Sequence, residues 1–106
     1  MDELTVLEWL ESKQLSVDEI DFLMTFIPNV SMIQMQSSKK AAICELMNKQ
    51  FPKANLDADE NYLDYRVFAV TIRKYTTDKI PVNEFLSRMS SQKICKPLCD
   101  FLLINS

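Results

Sequence analysis

The chain has 106 residues, of which 47% are hydrophobic and 25% charged, a composition typical of one globular domain rather than a disordered tail. It contains neither histidine nor glycine. The first absence removes the commonest general base and metal ligand. The second excludes glycine-rich phosphate loops and the nucleophile elbow. We therefore expect a single domain, 1–106, that is not an enzyme and has no catalytic residue, metal or cofactor.

The location of the protein is predicted from its termini and its thiols. No apolar run approaches the ~20 residues that cross a bilayer, and the first residues, MDELTVLEWLESK, are acidic where a signal peptide is basic. The chain has three cysteines, an odd number that suits a reducing compartment. We expect a cytoplasmic or nuclear protein that does not enter a membrane.

Two amphipathic helices are predicted at the start of the chain. Residues 2–13 carry leucines at a helix-like spacing, and Trp9 is expected in the core. Ser16 and Glu19 form a capping box that begins the second helix. The core face of this helix is predicted to be Val17, Ile20, Leu23, Met24 and Ile27. Pro28 is expected to end it, because proline disfavours the helical conformation in the residue before it.

Residues 29–38 are ambiguous in sequence. Ser31 with Gln34 is predicted to cap a short helix. The apolar residues of that helix are Met32, Ile33 and Met35. Methionine adapts to irregular gaps and is over-used at binding surfaces, so these three are candidate apolar contact residues. The alternative is that they fill the core under a loop.

The next helix is predicted at residues 38–51 and is followed by a polar loop. Its core face is expected to be Ala42, Ile43, Leu46 and Met47. Pro52 should end it. Asp57 with Glu60 repeats the capping-box pattern and is predicted to begin the helix that follows.

Residues 62–75, YLDYRVFAVTIRKY, are apolar on two sides when placed on a helix. The first side consists of Tyr62, Tyr65, Phe68, Ala69 and Ile72, and the second of Leu63, Val67 and Val70. Because neighbours usually cover both sides of such a helix, we predict that it is the central helix of a bundle. The β-branched residues favour a strand instead, but strands usually run only ~5–6 residues.

Two more helices are predicted at the end of the chain. Pro81 fits the first position of a helix, which the Ser90-Ser91 pair should end. Its apolar stripe is Val82, Phe85, Leu86 and Met89. In residues 92–104, Pro97 predicts either a kink or a helix that begins near it.

The sequence offers two weak metal-site patterns. Cys95 and Cys99 would share a helix face, but only Cys44 remains as a further thiol ligand, so we expect three buried free thiols. Asp57 and Asp59 alternate as in an EF-hand loop. That loop needs glycine at its sixth position, where this chain has tyrosine, so helix capping is the better interpretation.

Charge is unevenly distributed along the chain. Residues 1–30 hold seven acids and one base, a net −6, whereas residues 65–99 hold seven bases and two acids, a net +5. The candidate basic contact residues are Arg66, Arg73, Lys74 and Lys79. The candidate acidic contact residues are Glu8, Glu11, Asp18 and Asp21. The alternative is that these regions fold together and cancel.

These features predict an all-α fold, a compact bundle of five to seven short helices. In size, helix count and opposed charged regions the chain resembles the death-fold superfamily, such as caspase-recruitment domains. The expected function is a non-enzymatic protein–protein interaction module, an adaptor or assembly domain that binds another protein and associates weakly with itself. One alternative is a small regulatory or viral protein that binds a partner helix or peptide in an apolar groove near Met32 and Met35. Another is an enzyme that uses only carboxylates, lysine or tyrosine. Nucleic-acid binding through the basic C-terminal half is less favoured, because the sequence pI is about 4.9.

Overall fold

In the computed structural model, which describes residues 4–106, six α-helices account for most of the chain and no β-strand occurs in that range. The helices are α1 Val6–Ser12, α2 Val17–Met35, α3 Lys40–Gln50, α4 Tyr65–Thr76, α5 Val82–Ser91 and α6 Lys96–Ile104. Two short 3₁₀ turns, Ser37–Lys39 and Pro52–Ala54, flank α3. The prediction of an all-α bundle of five to seven helices is confirmed.

The central helix is α2, so the prediction that residues 62–75 form it is wrong. α2 packs on α1, α3, α4 and α6, whereas α4 packs on α2, α5 and the Pro52–Ala54 turn. Phe22 and Leu23 of α2 are completely buried. One buried apolar cluster joins side chains from all six helices.

Capping boxes begin the first two helices. The predicted box at Ser16 is confirmed: its Oγ accepts from the Glu19 N–H at 3.1 Å, and its own N–H donates to the Glu19 carboxylate at 2.7 Å. Thr5 forms a second box with Glu8, so α1 begins later than predicted. The predicted start at residue 2 lies outside the described residues. Val17 was expected in the core but is 77% exposed, because the first residue of α2 points outward.

The prediction that Pro28 ends the second helix is wrong, since α2 continues through it. An interior proline costs ~3 kcal/mol or more. Beyond it, Val30 and Ile33 are buried, and burying each such side chain contributes ~1.5–3 kcal/mol. Packing therefore offsets the local cost. The predicted short helix capped by Ser31 and Gln34 is consequently wrong, because both residues lie inside α2.

α3 turns a different face to the core from the one predicted. Its buried residues are Ile43, Cys44 and Met47. Ala42 and Leu46, both expected in the core, are exposed, and Leu46 keeps 65% of its surface in solvent. The apolar pattern of this helix allows either rotation, and packing against α2 selects the one that buries the cysteine.

The start of α4 is also later than predicted. Its N-cap is Asp64, whose carboxylate accepts from the Arg66 N–H at 2.9 Å. The proposed capping box of Asp57 and Glu60 does not form. Instead, the Asp57 carboxylate accepts from the Asp59 N–H at 2.8 Å and closes a turn ahead of the helix. Residues 57–64 therefore form a loop beside α4.

The last two helices match their predictions closely. All four residues of the predicted α5 stripe are buried, namely Val82, Phe85, Leu86 and Met89. Pro81 is the N-cap of α5, one position before the predicted one. α6 begins at Lys96 with Pro97 in its first turn, which confirms the predicted helix start near this proline.

Among residues 4–106, six residues other than glycine adopt the left-handed backbone conformation. They are Gln14, Asn55, Thr77, Asp78, Lys93 and Cys95. Each costs roughly 1–2 kcal/mol relative to the right-handed region. Asn55, Thr77 and Asp78 lie near α4, where the Asp78 N–H donates to the Arg73 carbonyl at 2.9 Å and closes the end of the helix. The chain therefore makes its tight turns without glycine.

Candidate functional site

A groove of about 690 Å³ opens between α4 and the loop that precedes it. The α4 side consists of Arg66, Val67, Val70, Thr71, Lys74 and Tyr75, with Thr77 just beyond the helix. The facing side consists of Lys53, Ala54, Asn55, Asp57, Glu60 and Tyr62. Apolar and charged side chains thus line the same depression.

The outer surface of α4 places an exposed apolar side chain among positive charges. Val70 keeps 47% of its surface in solvent. One helical turn away on either side lie Arg66, Arg73 and Lys74, and residues at this spacing are neighbours on a helix. Within residues 4–106, no carboxylate oxygen lies within 4.0 Å of these three cations. This surface therefore presents unpaired positive charge around an apolar centre.

Hydrogen bonds hold the facing loop in place. The Asn48 side chain accepts from the Leu56 N–H at 2.6 Å and donates to the Leu56 carbonyl at 2.9 Å. The Tyr62 hydroxyl accepts from the Asp57 N–H at 2.7 Å. Burial raises the pKa of Tyr62, so its hydroxyl stays protonated at neutral pH. Both walls of the groove are thus formed before a ligand arrives.

Tyr75 forms the buried end of the groove. Its ring stacks on Phe22 with centroids 3.9 Å apart, and its hydroxyl donates to the Asp18 carboxylate at 2.7 Å. Burial, followed by this hydrogen bond, raises the pKa of Tyr75. Lys53 lies 5.3 Å above the same ring and 3.8 Å from Asp18. Asp18, a predicted acidic contact residue, is therefore already paired within the fold.

Lys79 differs from the other three predicted basic residues, because it is paired. Its ammonium lies 2.8 Å from the Glu19 carboxylate and donates to the Gln14 carbonyl at 3.3 Å. Glu19 is only 7% exposed. Burial alone would raise the pKa of Glu19, but hydrogen bonds from Lys79 and from the Ser16 N–H outweigh it and hold that pKa below its ordinary value. This pair joins the start of α2 to the segment after α4.

The remaining predicted acidic residues are exposed and lie near the start of the chain. Glu8 and Glu11 lie on α1, and Asp21 lies on α2. The Glu8 carboxylate accepts from the Thr5 N–H at 3.0 Å, and this backbone hydrogen bond lowers the pKa of Glu8. These carboxylates form no ion pair within residues 4–106.

The three predicted apolar contact residues are not equivalent. Met32 and Met35 are 42% and 75% exposed, whereas Ile33 is buried at 5% and belongs to the core. All three lie in the last part of α2. A partner on this surface would reach only the two methionines, and the groove described above lies along α4 instead.

The thiols are in apolar surroundings. Cys44 and Cys99 are buried, Cys95 is half-buried, and no disulfide joins them. Burial raises the pKa of Cys99 to about 12 and also raises that of Cys44, so both thiols are protonated at neutral pH and are poor nucleophiles. In the part of the chain that the structure describes, no three histidine, cysteine or acidic side chains are placed to bind a metal. No helix in residues 4–106 is long and apolar enough to cross a bilayer.

The groove was not predicted from the sequence, although part of the pattern that marks it was present. Both apolar sides of this helix, including the side with Val67 and Val70, were predicted to be covered by neighbouring helices. The segment that forms α4 contains no acidic residue, and cations stand one turn before and after Val70. That pattern marks the basic side of the groove. The facing loop was not predicted, because the spacing of Asp57 and Glu60 matches a helix start, whereas the loop is held by contacts with Asn48 and Tyr62.

Comparisons of the chain with protein-family models, curated proteins and solved structures gave no match. The likeness to the death-fold superfamily accordingly stays one of size, helix count and charge. The physical features of the groove are what bear on function.

Proposed function

We propose that this chain is a non-enzymatic protein-interaction module, of the adaptor or regulatory kind, that binds another protein through the groove beside α4. The proposal rests on the surroundings of Val70, whose side chain is 47% exposed. Its neighbours on the helix are Arg66, Arg73 and Lys74. These three cations have no carboxylate partner within residues 4–106. Apolar contact supplies affinity, and complementary charge supplies steering and specificity. The ligand chemistry that fits is an apolar side chain flanked by acids.

The position of Arg66 supports this proposal. It lies in the first turn of α4, where a cation opposes the helix dipole by ~0.3–1 kcal/mol. Lys96 also opposes the dipole at the start of α6, but it pairs with Asp100 four residues later. Arg66 has no such carboxylate partner within residues 4–106, so its charge stays available to a bound protein.

The buried thiols and the lack of histidine support a function without catalysis. Three free thiols also suit a cytoplasmic or nuclear location, where such groups stay reduced. A nucleic-acid role has less support, because three of the seven bases in residues 65–99 are paired within the fold. These are Lys79, Arg88 and Lys96.

The proposal is tested by quantitative capture from nuclease-treated cell extract, with tagged wild type compared with Arg66→Glu. We expect a set of captured proteins to be lost with this variant. Its matched control is Lys39→Glu, the same reversal at an exposed lysine outside the groove. Both variants place an acid near the start of a helix, so neither is expected to be less stable than wild type.

Three results would contradict the proposal. Equal capture by wild type and both variants would mean that the groove does not bind the partner. Proteins captured from untreated extract but not from nuclease-treated extract would indicate that the groove binds a nucleic acid instead. Loss with Met35→Glu, but not with Arg66→Glu, would place the docking surface at the end of α2, as the alternative sequence interpretation expects.

A further inference from the structure

α1 has an exposed face whose charge is opposite to that of the outer surface of α4. Its buried residues are Val6, Trp9 and Leu10. The opposite side, which we call the acidic face, consists of Leu7, Glu8 and Glu11. Leu7 is 49% exposed, and both glutamates are exposed. No lysine or arginine nitrogen within the described range, 4–106, lies within 4.0 Å of either glutamate.

The basic face of α4, defined as Arg66, Val67, Val70, Arg73 and Lys74, has a matching pattern. Leu7 corresponds to Val70, because each is a partly exposed apolar side chain on its helix. Glu11 lies four residues after Leu7, just as Lys74 lies four after Val70. A parallel alignment therefore brings the two apolar side chains together and sets a glutamate beside a lysine.

The two faces cannot cover each other within one molecule. Leu7 and Val70 are each nearly half exposed in the isolated chain. α1 packs on α2 and α5, whereas α4 packs on α2, α5 and the Pro52–Ala54 turn. Contact between the acidic face and the basic face therefore requires two molecules.

We infer that the groove is occupied by the acidic face of a second copy of this chain, in a head-to-tail contact. The inference rests on the proposed function of the groove as a protein-docking site. Asp57 and Glu60 on the facing wall repel a carboxylate, so they direct Glu11 toward the α4 side. Each molecule has one face of each kind, so the contact is heterologous and builds open chains or rings.

Salt dependence is the first test, because the contact depends on exposed charges. The Debye length falls from about 30 Å at 0.01 M salt to about 3 Å at 1 M. In sedimentation velocity at low salt, the average mass of the wild type should rise with protein concentration, past that of a dimer. At 1 M salt the association should weaken by about tenfold or more.

A mixing experiment tests the head-to-tail geometry. Glu11→Lys damages only the acidic face and Lys74→Ala only the basic face, so each variant alone should associate more weakly than the wild type at low salt. Because Lys74→Ala introduces no carboxylate, the two damaged faces do not attract each other. An equimolar mixture therefore pairs only through one intact acidic face and one intact basic face, and it should form dimers but nothing larger. Lys39→Ala should associate like the wild type. Circular dichroism melting of each variant confirms that it is folded.

Each contrary result overturns the inference. A wild type that is monomeric at both salt concentrations excludes self-association. A dimer that persists at 1 M salt indicates an apolar or symmetric interface. A mixture that stays monomeric excludes the head-to-tail pairing. Any of these results leaves the groove open to a different protein, and only unchanged capture by Arg66→Glu removes the proposed function as well.

Discussion

α4 and α5 are neighbouring amphipathic helices of 12 and 10 residues, yet they use their side chains differently. In α5 the apolar stripe is entirely buried, and the Arg88 guanidinium lies 3.0 Å from Glu84 and 5.0 Å above the Trp9 ring. In α4 one apolar side is buried, whereas Val70 on the other is 47% exposed among cations. The apolar stripe and the arginine of α5 therefore both contact other residues of the same chain.

The comparison separates residues that stabilise the fold from residues that remain available to a partner. A cation paired four residues away, such as Arg88, adds to helix stability and has little attraction left for another molecule. Lys74 and Arg66 have no such pair within residues 4–106 and keep their full charge at the surface. The three predictions below test this division, from the largest effect to the smallest.

The largest expected effect compares the same truncation at a buried and an exposed leucine. Leu86→Ala in α5 removes a completely buried side chain and should lower the free energy of unfolding by ~2–5 kcal/mol. Leu46→Ala in α3 removes a side chain that is 65% exposed and should change it by no more than ~0.5 kcal/mol. Urea unfolding measures both. Equal losses would mean that α3 is rotated as the sequence pattern suggested.

An intermediate effect compares a paired with an unpaired lysine. Lys79→Gln leaves the buried Glu19 carboxylate without its ammonium and should cost about 1 kcal/mol, a value reduced by solvent at the half-exposed lysine. Lys74→Gln should change the free energy of unfolding by less than ~0.5 kcal/mol. Thermal unfolding of the two variants decides the matter. If Lys74→Gln is the more destabilising, this lysine has a structural role and the basic face is not free for binding.

The smallest effect compares one charge reversal at the two ends of α4. Arg66→Glu places an acid in the first turn and should raise the free energy of unfolding by ~0.3–1 kcal/mol, whereas Lys74→Glu in the last turn should lower it by a similar amount. Both effects should shrink at high salt. Chemical unfolding at low and high salt checks this. A loss with Arg66→Glu would show that this arginine stabilises the fold.

Interactions between residues close in sequence were predictable. Ser16 and Glu19 are three residues apart, and a capping box needs only local backbone geometry, so the start of α2 followed from the sequence. The α5 stripe was equally clear, because all its apolar residues share one face and leave a single rotation of the helix. The unpaired cations of α4 were also visible as a helix segment without acids.

Tertiary structure decided the features that depend on distant neighbours. Pro28 should end a helix on local grounds, but burial of Val30 and Ile33 against the rest of the core outweighs the lost hydrogen bond. α3 had more apolar residues than one face holds, and packing on α2 chose which of them to bury. The groove exists because the loop before α4 is fixed by Asn48 and Tyr62 rather than by helix formation. Local patterns assign charge and apolarity to a helix, whereas only the packed chain determines which of those side chains reach solvent.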